Sequence, residues 1–461
     1  MLWFKGGIQY MSSKKYEIDM LSGNYVRLLA KFAFPLMLSS ILQLLFNAAD
    51  IAVVGRFAGD TALAAVSSTS ALVNLCVNLF IGLSVGTNII TARMIGENHT
   101  EGIHKVVHTS VAMGILYGTI VAVFGIFFAG TMLQMMGNPE NVIDQATLYM
   151  QIYFLGLPAN LVYNFGAAAL RSKGDTRRPL YFLFIAGAVN VLLNLFFVIV
   201  FHLDVAGVAL ATIASQFISA FLVLRCLNRE TDYLKFSFKD CRIDMPTMVE
   251  VLKIGVPCGL QGTVFSISNV VIQSTINSFG AVIMAANGAA SNIEGFIFTA
   301  ANAFSQAGQT FIGQNYGAKK LRNIYTVSIL TIAYILGLGI IMSFLIYHFG
   351  PFLLKFYTSS PEVIEAGMVR MRYVSRFCFI DTMMGCFSAI LRGVGYVTLP
   401  TVNTLIMVCG FRLLYIATLF KTNPVITNLY IVYPISWILT VAVHIITCIA
   451  VRKKVQAHCE N

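Results

Sequence analysis

The segments LRSKGDTRRP (170–179) and LRGVGYVTLP (391–400) share the frame Leu-Arg-x-x-Gly-x-x-x-x-Pro at a separation of 221 residues. Arginine and proline are uncommon in this chain, so their coincidence at one spacing indicates an internal repeat. The same shift aligns further residues of the two halves: Gly59 with Gly280, Gly96 with Gly317 and, after a one-residue slip, Pro35 with Pro257. The chain therefore consists of two homologous halves.

The composition around these segments is that of a membrane protein. Of 461 residues, 57% are hydrophobic and only 11% are charged, whereas soluble domains carry roughly a quarter charged residues. Lipid is the solvent that accepts such a surface. The net charge of +11 forms no basic cluster on a polar segment, so we expect no nucleic-acid partner.

Apolar runs long enough to cross a bilayer recur along the whole chain and predict an all-α, polytopic fold with twelve transmembrane helices. The predicted spans are 28–55, 61–92, 104–131, 142–170, 179–201, 205–227, 247–276, 282–312, 322–350, 362–390, 398–420 and 429–452. The predicted domains are an N-terminal tail (1–24), a six-helix bundle (25–228), a linker (229–246), a second six-helix bundle (247–452) and a C-terminal tail (453–461).

Lysine and arginine are distributed unevenly between the two sides of these spans. With the N-terminus inside, 23 of the 31 basic residues fall in cytoplasmic segments, three fall outside and five lie within helices. Because cytoplasmic loops are enriched in basic residues, we expect both termini in the cytoplasm of a bacterial cell and the protein in its inner membrane. Each half has an even number of spans, so the halves are parallel and enclose a cavity, which is transporter architecture.

Three acids lie well inside predicted helices: Asp50 in helix 1, Glu294 in helix 8 and Asp381 in helix 10. Acids in lipid are costly and usually functional, and they suit reversible protonation, Na⁺ binding or the binding of a cationic substrate. The alternative is a structural ion pair, for which Arg412 in helix 11 is the expected partner of Asp381 or Glu294. The repeat places Asn160 opposite Asp381, so the acids are not duplicated.

Amide side chains share faces with these acids. Gln43 and Asn47 precede Asp50 at helical spacing, and Asn190 and Asn194 are four residues apart in helix 5. In helix 7, Asn269, Gln273 and Asn277 form a stripe. Such stripes serve either interhelical hydrogen bonding or a polar cavity wall.

Motifs of soluble catalysis are absent from the sequence. There is no phosphate-binding Walker loop, no HExxH and no GxSxG, and the nine cysteines show no metal-ligand spacing. We therefore expect no enzyme activity, no cofactor and no metal beyond a possible Na⁺ at Asp50.

The segments FPLMLSSILQLLFNAADIAVVGRFAG, IGVPCGLQG and TFIGQNYGAKK, with the two repeated frames above, resemble the multidrug and toxic compound extrusion (MATE) family, near its MepA-like and DinF-like bacterial groups. The resemblance covers about 25–452. It implies a V-shaped pair of six-helix bundles and alternating access. It also implies export of organic cations or amphipathic drugs by a monomer, driven by inward Na⁺ or H⁺.

The resemblance also implies roles for individual residues. Asp50 matches the helix 1 acid assigned to cation coupling, and Asn190 and Asn194 match a helix 5 Asn-x-x-x-Asp in which the aspartate is here Asn194. Asp381 has the spacing of the helix 10 acid of the NorM-like branch, but Phe265 stands where that branch has a helix 7 glutamate. The ion site of that branch therefore does not transfer unchanged.

The expected function is cation-coupled drug export, with Asp50, Asn190 and Asn194 as cation-coupling residues. Further substrate or coupling candidates are Gln43, Asn47, Gln273, Glu294, Asp381 and Arg412. The alternative is a lipid-linked precursor flippase of the same superfamily, which the four in-membrane arginines would favour: Arg370, Arg372, Arg376 and Arg412.

Overall fold

The computed structural model describes residues 16–136 and 138–460, and in this part of the chain all regular structure is helical. The first fifteen residues of the predicted N-terminal tail, with Lys5, Lys14 and Lys15, lie outside the described residues.

The first half of the chain contains seven α-helices: α1 Tyr25–Phe57, α2 Gly59–Gly96, α3 Thr100–Met135, α4 Glu140–Leu155, α5 Leu157–Ser172, α6 Arg177–Leu195 and α7 Asp204–Arg229. The second half contains α8 Met245–Asn277, α9 Ala281–Gly317, α10 Leu321–His348, α11 Gly350–Leu354, α12 Pro361–Tyr373, α13 Cys378–Gly393, α14 Thr398–Thr404, α15 Phe411–Ala417, α16 Leu419–Thr422 and α17 Ile426–Glu460. A π-helical turn at Phe196–Val200 ends the span that begins with α6, and another at Leu405–Gly410 lies between α14 and α15 within one span.

Eleven helical stretches of the described residues are long and apolar enough to cross a membrane. The predicted fourth span is not among these eleven, because it is broken at Gly156 into two shorter helices, α4 and α5. Counted together, α4 and α5 correspond to the twelfth predicted span. Pro158 is at the start of α5, where proline is tolerated. The last predicted helix was too short: α17 continues through Glu460, so the predicted C-terminal tail is helical up to that residue.

The repeat is visible in the backbone. Gly59 and Gly280 have φ of 85° and 97°, and Gly174 and Gly395 have φ of 103° and 88°. Each pair is related by the 221-residue shift, and each occupies the left-handed region that glycine enters without strain. The break at Gly156 also has its counterpart, since the predicted tenth span is broken between α12 and α13.

By their packing the described residues form two compact units. Unit 1 comprises the described part of Met1–Asn24 with Leu42–Ser70 and Asn98–Met248, and unit 2 comprises Tyr25–Ile41, Ala71–Glu97 and Val249–Asn461. Helices α1 and α2 thus contribute residues to both units. The boundaries predicted from sequence, 25–228 and 247–452, remain a prediction about the duplicated segments.

In unit 1, α3 has small residues on its buried face and large apolar residues on its exposed face. The buried face carries Gly114, Gly118, Ala122, Gly125 and Ala129. A Cβ on Gly118 would lie 2.5 Å from Cα of Pro158, and one on Gly125 would lie 2.5 Å from the ring of Phe154. The exposed face carries Ile120, Val123, Phe124 and Phe127. Small residues at contacts and large apolar residues outside are typical of helices packed in lipid.

Unit 1 also contains a compact charge network outside the spans. Lys173 Nζ contacts carboxylates of Glu17 at 2.5 Å, Glu230 at 3.1 Å and Asp232. Burial favours the neutral amine of Lys173, but the surrounding carboxylates outweigh it and raise its pKa above the usual value. Arg178 pairs with Asp175 and, at 2.5 Å, with Glu230. The predicted linker is therefore fixed to the 170–179 segment through Glu230.

In unit 2, the ends of α2 and α9 cross at a reciprocal contact. A Cβ on Gly96 would lie 2.0 Å from the carbonyl oxygen of Gln314, and one on Gly317 would lie 2.0 Å from the carbonyl oxygen of Arg93. The shift that carries Gly96 onto Gly317 also carries Arg93 onto Gln314. The crossing therefore has local two-fold symmetry, and it requires glycine on both helices because the opposing atoms are backbone.

The substitution Gly317→Ala is expected to destabilise the protein by about 1–3 kcal/mol, because the new methyl group forces two backbones apart. The measurement is the melting temperature of the purified protein in detergent. The matched control is Gly288→Ala in the same helix, where a Cβ meets nothing within 4 Å and alanine gains roughly 0.5–1 kcal/mol of helix propensity. Equal melting temperatures for the two variants would contradict the close crossing.

Candidate functional site

The acid site of unit 1 forms because α1 and α6 approach closely. A Cβ on Gly187 would lie 1.8 Å from the ring of Phe46, so any larger residue there would require this ring to move. Asp50 follows Phe46 by one helical turn, and Asn190 and Asn194 follow Gly187 on α6. The close approach at Gly187 therefore carries the carboxylate of Asp50 toward the two amides.

Asp50 is held by amides. Asn194 Nδ2 donates a hydrogen bond to Asp50 Oδ1 and approaches Asn190 Oδ1 at 3.4 Å. Asn190 and Asn194 are buried, and Asn194 Oδ1 has no hydrogen-bond partner among the described residues. Tyr149 on α4 is close enough for an electrostatic interaction with Asp50. In the described part of the chain no lysine, arginine or histidine forms an ion pair with Asp50.

The other two predicted residues of this face, Gln43 and Asn47, are not part of this hydrogen-bonded group. Both are exposed on α1. The structure thus brings together three of the five residues that the sequence placed on the faces of helices 1 and 5.

Unit 2 contains a partly open cavity of about 790 Å³. Its wall includes the remaining predicted site residues, namely Gln273, Glu294, Asp381 and Arg412, together with Arg370 and Arg392. The volume is within the range of small-molecule sites in proteins. Aromatic side chains of Phe265, Tyr433 and Trp437 form the apolar part of the wall.

Glu294 belongs to a buried hydrogen-bonded chain on this wall. Its carboxylate accepts from Arg370 Nη2 at 2.7 Å and from Ser375 Oγ at 2.6 Å. Arg370 Nη1 donates to Asn287 Oδ1 at 2.5 Å, and Asn287 Nδ2 donates to Gln273 Oε1 at 2.7 Å. Arg370 is therefore the partner of Glu294, and the prediction that Arg412 fills this role was wrong.

Arg412 is fully buried without an ion pair in the described structure. Its Nε donates to Ser436 Oγ at 2.9 Å, and Nη1 is 3.4 Å from Asn269 Oδ1. Its guanidinium carbon is 4.6 Å from the ring centroid of Tyr433, a cation–π contact. Asp381 interacts with Arg412 electrostatically but makes no ion pair with it, so the predicted pairing fails here as well.

Asp381 is in the first turn of α13, immediately after the break in the tenth span. A carboxylate is favoured at a helix N-terminus by the helix dipole and the unpaired N–H groups. One of its oxygens, Oδ1, is buried with no hydrogen-bond partner among the described residues. Its position therefore places the acid near the positive end of the helix dipole.

Two acidic or histidine clusters of the described residues have a spacing compatible with a metal ion. Glu17, Glu230 and Asp232 surround Lys173, whose ammonium group already occupies their centre. In the second cluster, His108 Nδ1 contacts the carbonyl oxygen of His104 and Nε2 accepts from the N–H of Ser237. Both ring nitrogens of His108 are engaged, so His108 offers no free nitrogen to a metal ion.

The sequence did not identify the roles of Tyr149, Ser375 and Arg370. Arg370 was noted only as one of the four arginines that would favour the flippase alternative, because nothing in the sequence indicates its contact with Glu294. Tyr149 and Ser375 carried no signal, because tyrosine and serine are frequent in the spans and become polar partners only through helix rotation.

Comparison with known proteins gives the same picture. The MatE family model matches residues 35–196 and 257–418, one match in each half of the chain. A "Probable multidrug resistance protein YoeA" of Bacillus subtilis is 30% identical over 397 residues, which cover 83% of this chain and 84% of the relative. A "Multidrug export protein MepA" of Staphylococcus haemolyticus is 20% identical over 79% of this chain and 80% of its own length.

Solved structures agree at the level of the fold. A structure described as "Outward-facing conformation of a multidrug resistance MATE family transporter of the MOP superfamily" matches with a TM-score of 0.86 at 20% identity, covering 96% of this chain and 99% of the other. A MOP superfamily transporter from Pyrococcus furiosus matches with a TM-score of 0.85 at 21% identity, covering 95% and 98%. The repeated halves, the membrane-spanning helices and the family match make this chain a member of the MATE family of multidrug efflux transporters.

Proposed function

We propose that this protein is a secondary active antiporter that exports amphipathic organic compounds, chiefly cations, in exchange for inward Na⁺ or H⁺. Asp50 is the coupling residue, assisted by Asn190 and Asn194. The protein works as a monomer in the bacterial inner membrane, surrounded by lipid, with both termini in the cytoplasm. The family and the names of the relatives support export of drugs.

The observation that carries the proposal is an acid in a membrane-spanning helix whose hydrogen-bond partner is neutral. A carboxylate already paired with arginine cannot release and rebind a cation without exposing a buried charge. Asp50 has amides instead, and Asn194 Oδ1 is an unused oxygen beside it. Such a site accepts either a proton on the carboxylate or a Na⁺ among hard oxygen ligands.

The flippase alternative rested on four in-membrane arginines, and it is not favoured. Arg370 is engaged by Glu294, and Arg372 and Arg376 are exposed. Arg412 alone is buried without an acid, which does not amount to a pyrophosphate site. The relatives reported above are also described as multidrug proteins.

The substitution Asp50→Asn is expected to abolish gradient-driven transport while the protein stays folded, since the amide cannot carry the coupling charge. The measurement is uptake of a cationic dye into proteoliposomes under a pure Na⁺ gradient and then a pure H⁺ gradient. The matched control is Asp144→Asn, the same chemical change at an exposed residue of unit 1. Transport by the Asp50 variant at the control's rate would remove Asp50 as the coupling residue.

The gradient comparison also decides the ion. If Na⁺ drives uptake by the wild-type protein, the variant Asn194→Leu is expected to need a higher Na⁺ concentration, because a ligand oxygen is lost. If only the H⁺ gradient drives uptake, added Na⁺ has no effect on either protein. Absence of dye movement under both gradients would count against the multidrug proposal.

Glu294 has a structural role in this proposal, which a stability measurement tests. Glu294→Gln leaves the buried guanidinium of Arg370 unpaired, and breaking a buried pair from one side costs about 3–5 kcal/mol. We expect a lower melting temperature, partly restored in Glu294→Gln/Arg370→Met. The exposed Glu362→Gln is the control. A variant with unchanged stability but lost transport would instead make Glu294 a functional acid.

A further inference from the structure

The wall of the unit 2 cavity has more positively than negatively charged side chains, and more unpartnered hydrogen-bond donors than acceptors. Such a wall does not match an organic cation. Its ionisable residues are three arginines and two acids: Arg370, Arg392, Arg412, Glu294 and Asp381. One of the two acids, Glu294, forms an ion pair with Arg370. Arg392 has a neutral partner, Gln261. Two guanidinium groups therefore lack an acid in direct contact, against one unpaired acid.

The unused polar atoms of the wall are mostly donors. Among the described residues, the buried atoms without a hydrogen-bond partner include Arg412 Nη2, Trp437 Nε1, Arg392 Nε and Arg370 Nε, with the hydroxyl of Ser388 able to act either way. The only unused acceptor of this kind that the wall presents in the described structure is Asp381 Oδ1. Buried donors are costly when unsatisfied, so this wall is complementary to a ligand that brings acceptor oxygens.

Arg412 is the centre of this arrangement. Arg412 is fully buried, is one of the residues that line the cavity, and has at Nη2 a buried donor without a partner among the described residues. Nε is fixed by Ser436, and the guanidinium lies over Tyr433 at 4.6 Å and near Phe265 at 5.7 Å. A guanidinium fixed in this way is preorganised to bind a planar oxyanion.

We propose that the unit 2 cavity contains an oxyanion subsite at Arg412, which binds the acidic group of an amphipathic aromatic compound. The ring of the compound packs against Tyr433 and Trp437, whose rings are themselves 5.9 Å apart. This assignment rests on the proposed function, because it assumes that transported substrates pass through the cavity. It extends the proposed substrates from organic cations to organic acids. A cavity of about 790 Å³ suits a small amphiphile rather than a diacyl lipid.

Trp437 provides a reporter inside the proposed subsite. The chain has two tryptophans, Trp3 and Trp437, so Trp3→Phe leaves a single fluorophore in the cavity wall. The probes share one bromine-bearing ring, which quenches tryptophan at contact: 4-bromobenzoate, its neutral amide 4-bromobenzamide and the cation 4-bromobenzylammonium. Titrations in neutral detergent without any ion gradient measure binding separately from transport.

We expect the benzoate to quench Trp437 at a concentration about tenfold or more below that of the amide, as charge-assisted hydrogen bonding implies. Arg412→Gln should remove this preference, and the exposed Arg376→Gln should keep it. If Arg412→Gln does not fold, Arg412→Lys tests the same point, because a point charge without the planar fork should lose most of the preference.

Three results would overturn the proposal. The first is equal quenching by benzoate and amide in the Trp3→Phe protein, which needs no further variant. The second is an unchanged benzoate preference in folded Arg412→Gln. The third is displacement of the benzoate by phosphatidylglycerol added to the micelles, which would assign Arg412 to a lipid headgroup; retained binding supports the small-molecule subsite. None of these results bears on Asp50, whose coupling role is tested by gradient-driven transport.

Discussion

A charged side chain inside a membrane protein needs a compensating partner, and this constraint organises the polar interior of the molecule. Glu294 and Arg370 compensate each other directly. Asp381 lies in the first turn of α13, near the positive end of the helix dipole. Among the described residues, Asp50 has an amide as its hydrogen-bond partner and Tyr149 nearby, and Arg412 has hydroxyl, amide and aromatic neighbours with an acid farther away. The proposed functions are assigned to the last two groups, because an incompletely compensated charge is where a mobile ion or a ligand gains most.

Close helix packing makes these positions possible. Without a hydrophobic driving force between helices in lipid, contacts depend on small residues that let backbones approach. Gly187 brings Asp50 to Asn194 in unit 1, and the pair Gly96 and Gly317 joins α2 to α9 in unit 2. At Gly96 and Gly317 a larger residue would press against backbone, so the two helices would have to separate. The glycines are thus as much part of the site as the acids.

The sequence predicted the helices and the repeat, because periodicity and spacing along single helices are local properties. The grouping of Asp50 with Asn194 came from the resemblance to the MATE family, and the hydrogen bond between them agrees with it. It did not predict which arginine pairs with Glu294. That outcome depends on helix rotation, which local irregularities alter. The span that carries Arg370 breaks before Asp381, and a π-helical turn at Leu405–Gly410 immediately precedes Arg412. Each irregularity rotates the following residues about the helix axis. A helical wheel drawn with a regular period of 3.6 residues therefore assigns these side chains to the wrong face.

The duplication produced similar scaffolds with opposite polar chemistry. Related glycines keep the same left-handed turns in both halves, and both fourth helices are broken at related positions. The buried charged residues are not shared between the halves: Asp50 aligns with an aliphatic residue of the second half, and Asp381 aligns with Asn160. Backbone geometry is shared because both halves need the same turns and crossings in lipid. A buried charge costs free energy in each half, so we expect an acid or arginine only in the half where it has a function. The functions proposed above are cation coupling at Asp50 in unit 1 and oxyanion binding at Arg412 in unit 2.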